Sequence, residues 1–81
     1  MLITTNGDTI DTPPANGKTY TLLELQGMVH GYIRPIYLDT KILIVNEDGI
    51  PEGLPINERA SRVAGMKIYG QAVLIARKQL Q

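Results

Sequence analysis

Two short segments with apolar side chains on both faces constrain the fold of this chain more than any other feature. Residues 42–45 read Ile-Leu-Ile-Val, and residues 72–76 read Ala-Val-Leu-Ile-Ala. Side chains alternate between the two faces of a strand, so such a strand needs cover on both sides. A chain of 81 residues buries only about 60% of its unfolded surface. We therefore expect a single domain over residues 1–81 that gains further burial as a homo-oligomer, a dimer or larger.

Composition excludes several kinds of site. The chain has no Cys and one His, which rules out a disulfide framework and a zinc site, and we expect no metal and no cofactor. The formal net charge is zero, which argues against binding a DNA or RNA polymer. No apolar run approaches the roughly 18 residues that a membrane span needs. We expect a cytoplasmic protein with no membrane partner.

Two hairpins are indicated. Residues 2–12 are β-prone around the Asn-Gly pair at residues 6–7, which is typical of a type I′ turn with positive φ at both positions. Residues 32–38 and 41–46 are rich in β-branched and aromatic side chains and form the second pair. Pro35 lies within the first of these two arms and cannot donate to a ladder. This position is therefore expected at a sheet edge or a bulge.

The first helix is predicted over residues 22–30. Thr21 and Glu24 have the spacing of a capping box at its start, and Gly31 is expected to end it. Four apolar side chains with helical spacing indicate the core-facing stripe: Leu22, Leu25, Met28 and Val29.

A second, shorter helix is predicted over residues 58–64. Asn57 is its expected N-cap and Gly65 its stop. A long strand over residues 67–77 follows. The predicted order is therefore β-β-α-β-β-α-β, an α+β domain with a mostly antiparallel sheet and two short helices.

Nothing in the sequence points to catalysis. The only Ser is Ser61, inside the second helix, and the only His is His30, where capping of the first helix explains it. The acidic residues have no spacing that selects an acid-base pair. The turn at residues 46–48 could be considered for a hard cation, but Asx-rich turns form for backbone reasons alone. We expect a protein that is not an enzyme.

An anion site is a more specific candidate. Residues 57–62 read Asn-Glu-Arg-Ala-Ser-Arg and open the second helix, with Arg59 and Arg62 on one face. Guanidinium groups bind phosphate or carboxylate through paired hydrogen bonds. The alternative is a solvated helix in which Glu58 pairs with Arg62.

Aromatic side chains have two open interpretations as well. All four are tyrosines, and three of them, with Arg34, could stack on a base or line a subunit interface: Tyr32, Tyr37 and Tyr69.

Four motifs together resemble a known domain family. They are Tyr-Thr-Leu-Leu-Glu-Leu-Gln at residues 20–26, Gly-Tyr-Ile at 31–33, Ile-Leu-Ile-Val-Asn-Glu-Asp-Gly at 42–49 and Gly-Leu-Pro-Ile-Asn-Glu-Arg-Ala at 53–60. The chain resembles a small domain family of unassigned function carried by bacteriophages and conjugative elements. The match covers roughly residues 20–76.

This resemblance implies a mobile-element protein in a bacterial host cell. Small oligomeric proteins of such elements often act as counter-defence factors, one type being a sponge that sequesters nucleotide immune signals without cleaving them. In that case the phosphates would be held by Arg59, Arg62 and Lys67, a base would stack on Tyr32, Tyr37 or Tyr69, and polar edges would be read by Asn46 or Asn57.

Three functions follow as hypotheses. The first is a non-enzymatic, oligomeric ligand-binding module for a nucleotide-like anion. The second is a protein-protein inhibitor or adaptor of a host enzyme, and the third is a small hydrolase.

Charge is distributed unevenly along the chain. Residues 1–58 contain all eight acidic and three of the eight basic residues, a net charge of −5, whereas residues 59–81 contain the other five basic residues, a net charge of +5. This segregation leaves room for a local basic site and could steer assembly between subunits.

Overall fold

The computed structural model describes residues 1–80 and has one helix on each face of a five-stranded sheet. Its elements in chain order are β1 (Leu2–Ile3), β2 (Thr9–Ile10), α1 (Leu22–Val29), β3 (Ile33–Tyr37), β4 (Lys41–Asn46), α2 (Glu58–Ala64), β5 (Ala72–Ala76) and a 3-10 turn (Arg77–Gln79). The strand order is β2-β1-β5-β4-β3, and all neighbours are antiparallel. The predicted α+β class and element order are confirmed.

Strand β4 is the centre of the core. Its residues 42–45 are all buried, at most 3% exposed. Ile42 and Ile44 pack in one cluster with the inner side of α1, whereas Leu43 and Val45 pack on the opposite face in a cluster with α2. One chain therefore covers both apolar faces of β4. These strands therefore give no reason to expect self-association, which stays a prediction.

Helix α1 begins with the predicted capping box. Thr21 Oγ1 accepts from the Glu24 amide at 3.2 Å, and Glu24 Oε1 accepts from the Thr21 amide at 2.9 Å. The second carboxylate oxygen of Glu24 also accepts from the Ala15 amide at 2.9 Å, which ties the preceding loop to the helix. These backbone amides lower the pKa of Glu24.

The end of α1 differs from the prediction. His30, and not Gly31, takes the left-handed conformation that ends the helix, with φ 63°. Gly31 is required for space, because a Cβ there would lie 2.8 Å from Asn46 Nδ2. That amide group donates to the carbonyl of Val29, the last residue of α1, at 2.9 Å.

The apolar stripe of α1 is shorter than predicted. Leu25 and Val29 are buried and Met28 is partly buried, but Leu22 is 56% exposed. Tyr20 joins the core cluster instead, and its hydroxyl donates to the Thr12 carbonyl. Burial raises the pKa of this phenol, which stays protonated and keeps its donor.

Both hairpins are present. In the first, Asn6 does not have the positive φ of a type I′ turn; only Gly7 does, at 90°, and its amide donates to the Thr4 carbonyl at 3.1 Å. This is a type I turn closed by a left-handed glycine. In the second, β3 is an edge strand and Pro35 lies opposite Ile44. The edge alternative for Pro35 is confirmed.

Asn57 fastens α2 to the sheet. Its side chain is fully buried, donates to the carbonyls of Ile3 and Gly70 at 2.9 Å each, and accepts from the Ala60 amide at 3.0 Å as the helix N-cap. Its backbone amide donates to the Ile68 carbonyl at 2.7 Å. One side chain thus joins β1, the start of α2 and the segment that enters β5.

The strand predicted over residues 67–77 is too long. Strand β5 covers Ala72–Ala76 only, because Gly70 turns the chain with φ 87° and Arg77 begins the 3-10 turn. Before the strand, Tyr69 forms an isolated antiparallel bridge with Ile56.

None of the helices within residues 1–80 has the length and hydropathy to cross a membrane.

Removing the Asn57 side chain should be strongly destabilising. Asn57→Ala loses the cap and the two buried hydrogen bonds to the carbonyls of Ile3 and Gly70, so the free energy of unfolding should fall by about 3 kcal/mol. Asn57→Ser keeps a cap acceptor and should lose less. Urea unfolding followed by circular dichroism measures both. The exposed Asn6→Ala should change stability by no more than about 0.5 kcal/mol, and an equal loss there would contradict this role of Asn57.

Glu24 should make stability depend on acid pH. Its lowered pKa in the folded state means that its contribution is complete above the unfolded value, about 4.3, and is lost as pH falls through the folded value. Glu24→Gln should therefore lower the melting temperature at pH 7, with a difference that shrinks toward pH 3. Glu47→Gln, at an exposed carboxylate, is the control. A constant difference across this range would show that the carboxylate charge is not responsible.

Candidate functional site

The structure divides the predicted site residues among separate surfaces. Four of them line one open cleft, hereafter the cationic cleft: Arg34, Asn46, Lys67 and Tyr69. The rest of its lining comes mainly from the turn after β4, including Glu47, Gly49, Ile50 and Pro51. Its volume is about 120 Å³. That is below the size of pockets that enclose a drug-sized ligand, about 300 Å³ or more, so the cleft suits a small charged group.

Arg34 reaches this cleft from β3. It lies opposite Val45 on the face of the sheet that carries α2. Among residues 1–80, its side chain hydrogen-bonds only from Nη2 to Met66 Sδ at 3.7 Å, and a thioether is a weak acceptor. The guanidinium therefore keeps most of its donors available.

Lys67 is placed by a turn that Ser61 closes. The Ser61 hydroxyl donates to the Asn57 carbonyl at 2.6 Å and accepts from the Ile68 amide at 2.8 Å. These bonds fold the segment after α2 back over the helix and leave Lys67 exposed beside the cleft. Ser61, the only serine, has a structural role here.

Tyr69 lies against the turn after β4. A Cβ on Gly49 would come within 2.8 Å of the Tyr69 carbonyl oxygen, so the two backbones can meet only at a glycine. Tyr69 is half-buried and Ile50 is exposed at the same cleft. The sequence marked Tyr69, but the close approach of Gly49 had no signal beyond a glycine in a turn.

The two predicted asparagines are committed to the backbone. Asn46 borders the cationic cleft, but Nδ2 donates to Val29 and Oδ1 accepts from the Asp48 amide at 2.7 Å. Asn57 is fully buried, with the contacts described above. Both side chains hold the cleft and α2 in place.

A second open cleft contains the arginines of α2. Arg59 and Arg62 line it with Glu58, Ile56 and the first hairpin turn at residues 5–7. The alternative of a Glu58–Arg62 ion pair is not observed. Across residues 1–80, no lysine or arginine nitrogen lies within 4.0 Å of a side-chain carboxylate oxygen.

The remaining tyrosines lie elsewhere. Tyr32 is 68% exposed and borders a groove with Asp48 and Glu52. Tyr37 packs under the guanidinium of Arg77, 5.4 Å from its ring centre, in a cation–π arrangement. Of the tyrosines predicted to stack, only Tyr69 lies in a cleft with predicted cations.

No group of three or more His, Cys, Asp or Glu side chains suited to a metal occurs in the part of the chain that the structure describes.

The comparison with family models assigns the chain. Residues 3–79 match the model described as "Domain of unknown function (DUF3846)". The chain belongs to the DUF3846 family. No curated protein and no solved structure matches it. The expected membership in a domain family of unassigned function is confirmed.

Two of the motifs noted in the sequence contain residues with a structural role. The motif at residues 42–49 contains Asn46 and Gly49, and the motif at 53–60 contains Asn57. Asn46 and Asn57 donate hydrogen bonds to backbone carbonyls of other elements, and Gly49 allows the backbone of Tyr69 to approach closely. The motifs therefore describe the scaffold of the cationic cleft, whereas its cations Arg34 and Lys67 lie outside them.

Gly49→Ala should damage the cleft and the fold together. The new methyl group would meet the Tyr69 backbone at 2.8 Å, and we expect a loss of about 2 kcal/mol in unfolding free energy. Gly27→Ala is the matched control, because that helical position has no atom within 4 Å and should gain up to about 1 kcal/mol. Urea unfolding measures the change in stability, and the NMR resonance of the Tyr69 amide reports the change at the cleft. Equal stability of the two variants would refute the close approach.

Proposed function

We propose that this DUF3846 domain is a non-enzymatic binding module that holds a phosphate-bearing, nucleotide-type anion in the cationic cleft. The observation that carries the proposal is the convergence of Arg34 and Lys67 on one cleft. They are 33 positions apart in the sequence and come from different elements. Within residues 1–80, neither cation forms an ion pair with a carboxylate at 4.0 Å or less.

The chemistry of the cleft favours an anion with one concentrated charge. Arg34 can offer a pair of parallel N–H donors and Lys67 a compact ammonium. Glu47 also lines the cleft, so the three charged side chains Arg34, Lys67 and Glu47 together carry a net charge of +1. A terminal phosphate between the two cations meets these conditions.

The rest of the ligand would lie across the open side of the cleft. A volume of about 120 Å³ accommodates a phosphate but does not enclose a nucleoside. Tyr69 offers a half-buried ring beside Ile50 and Pro51, on which a base can stack. We propose sequestration without turnover as the mode of action. A counter-defence sponge is the biological form of this proposal.

Binding can be tested by calorimetry and thermal shift. The probes are inorganic phosphate, pyrophosphate, AMP, ADP-ribose and cyclic dinucleotides. At least one nucleotide should raise the melting temperature and be recovered intact after heat release. Loss of one charged hydrogen-bonding partner costs about 1.5–3 kcal/mol, so Arg34→Gln with Lys67→Gln should weaken binding at least 10-fold.

The control removes the same two charge types elsewhere. Arg62→Gln with Lys41→Gln should leave affinity within about 2-fold, which in free energy is less than 0.5 kcal/mol. Tyr69→Ala should weaken a nucleotide more than inorganic phosphate, since only the nucleotide can stack. Absence of binding by every probe at millimolar concentration would overturn the proposal, as would an equal loss in the control.

A further inference from the structure

An exposed apolar surface bordered by acids lies on the α1 side of the sheet. Leu23 is 79% exposed and Leu22 lies beside it in the first turn of α1. Gln26, one turn further along, borders the groove that also contains Tyr32, Asp48 and Glu52. We call these residues the acidic surface: Leu22, Leu23, Gln26, Tyr32, Asp48 and Glu52.

A basic surface with exposed apolar side chains lies on α2. Arg59 and Val63 are one helical turn apart, and Arg62 is adjacent. Val63 and Ile56 are each 40% exposed, and Ile56 lines the same cleft as the two arginines. We call these residues the basic surface: Ile56, Arg59, Arg62 and Val63.

The two surfaces point in opposite directions. Helix α1 packs on the face of β4 that carries Ile42 and Ile44, and α2 packs on the face that carries Leu43 and Val45. The acidic surface belongs to residues 1–58, which have a net charge of −5. The arginines of the basic surface belong to residues 59–81, which have a net charge of +5. The carboxylates of Asp48 and Glu52 and the guanidinium groups of Arg59 and Arg62 thus lie on opposite sides of the sheet, with Glu58 in the cleft of the two arginines.

We infer that the acidic surface of one copy binds the basic surface of the next copy, so that the protein associates head to tail. In this contact, leucines and a tyrosine face a valine and an isoleucine, and carboxylates face guanidinium groups of opposite charge. Apolar burial supplies most of the affinity, and the charges set orientation and partner choice. Leu22 and Leu23 thereby gain a function that the core does not give them.

The symmetry expected of the assembly follows from the use of two different surfaces. A contact between two different surfaces leaves one of each free, so association continues into a ring or an open chain and does not stop at a two-fold dimer. Neither Arg34 nor Lys67 belongs to these surfaces. This inference therefore goes beyond the proposed function, and anion binding can be measured on variants that do not associate.

Sedimentation velocity of the full chain from 1 µM to 1 mM tests the inference. At about 20 mM salt the wild-type protein should grow beyond a dimer with concentration, and association should weaken at least 10-fold at 500 mM salt because the charges are then screened. Leu23→Gln leaves the charge unchanged and should also weaken association at least 10-fold. Far-UV circular dichroism establishes that each variant is folded.

Mixing two variants, each of which lacks one of the two surfaces, distinguishes a head-to-tail contact from other modes of self-association. Asp48→Lys with Glu52→Lys removes the acidic surface, and Arg59→Gln with Arg62→Gln removes the basic one; each should be monomeric alone. An equimolar mixture should form a 1:1 complex that does not grow further. Lys18→Gln with Lys78→Gln, which removes two charges elsewhere, should associate like the wild type.

Several results would overturn the inference. They are a wild-type protein that is monomeric at 1 mM and low salt, one that stops at a dimer, or a mixture that does not pair. A monomeric wild type whose Leu23 and Glu52 resonances shift on addition of an amphipathic Leu/Lys peptide would likewise overturn it, and would assign the acidic surface to a foreign protein.

Discussion

The buried hydrogen bonds of Asn57 are the constraint on which the rest of the structure depends. A short helix with one buried side chain, Ala60, has little apolar surface with which to hold its position. Asn57 compensates by capping the helix and donating to carbonyls of β1 and of the segment before β5. A buried amide with all these partners in place specifies one arrangement, since any shift breaks these buried hydrogen bonds. The position of α2, and with it that of Lys67, follows.

The charged side chains contribute little to holding this fold together. Apart from Glu24, whose carboxylate binds backbone amides, and Arg77, which donates to the Leu38 carbonyl and packs on Tyr37, the fold is stabilised by aliphatic packing on both faces of β4 and by backbone hydrogen bonds. Surface ion pairs contribute little in general, and none forms among the described residues. The cations of β3, α2 and the following turn are therefore available to ligands or to another copy. This availability links the proposed anion site with the inferred head-to-tail contact.

Features that depend on neighbouring residues could be predicted from the sequence. Features that depend on steric fit or on residues distant in the chain could not. The capping box at Thr21 and the edge position of Pro35 depend on a few neighbouring atoms, and both were predicted. At the end of α1, Asn46 donates to the Val29 carbonyl and lies too close to Gly31 for any side chain there. The extent of β5 depends on Gly70, whose carbonyl is bound by Asn57 from 13 positions away. Neither partner is visible in a local pattern.

The sequence by itself determined the α+β class, the order of the elements, the two hairpins and the family, because alternation, capping and turn residues act over short distances. It also identified Arg34, Lys67 and Tyr69 as separate candidates. Only the tertiary structure decided that these three share one cleft while Arg59, Arg62, Tyr32 and Tyr37 lie elsewhere. The physical reason is that strand register and the Ser61 turn set distances between residues far apart in the chain. The same tertiary packing placed the acidic surface and the basic surface on opposite sides of the sheet.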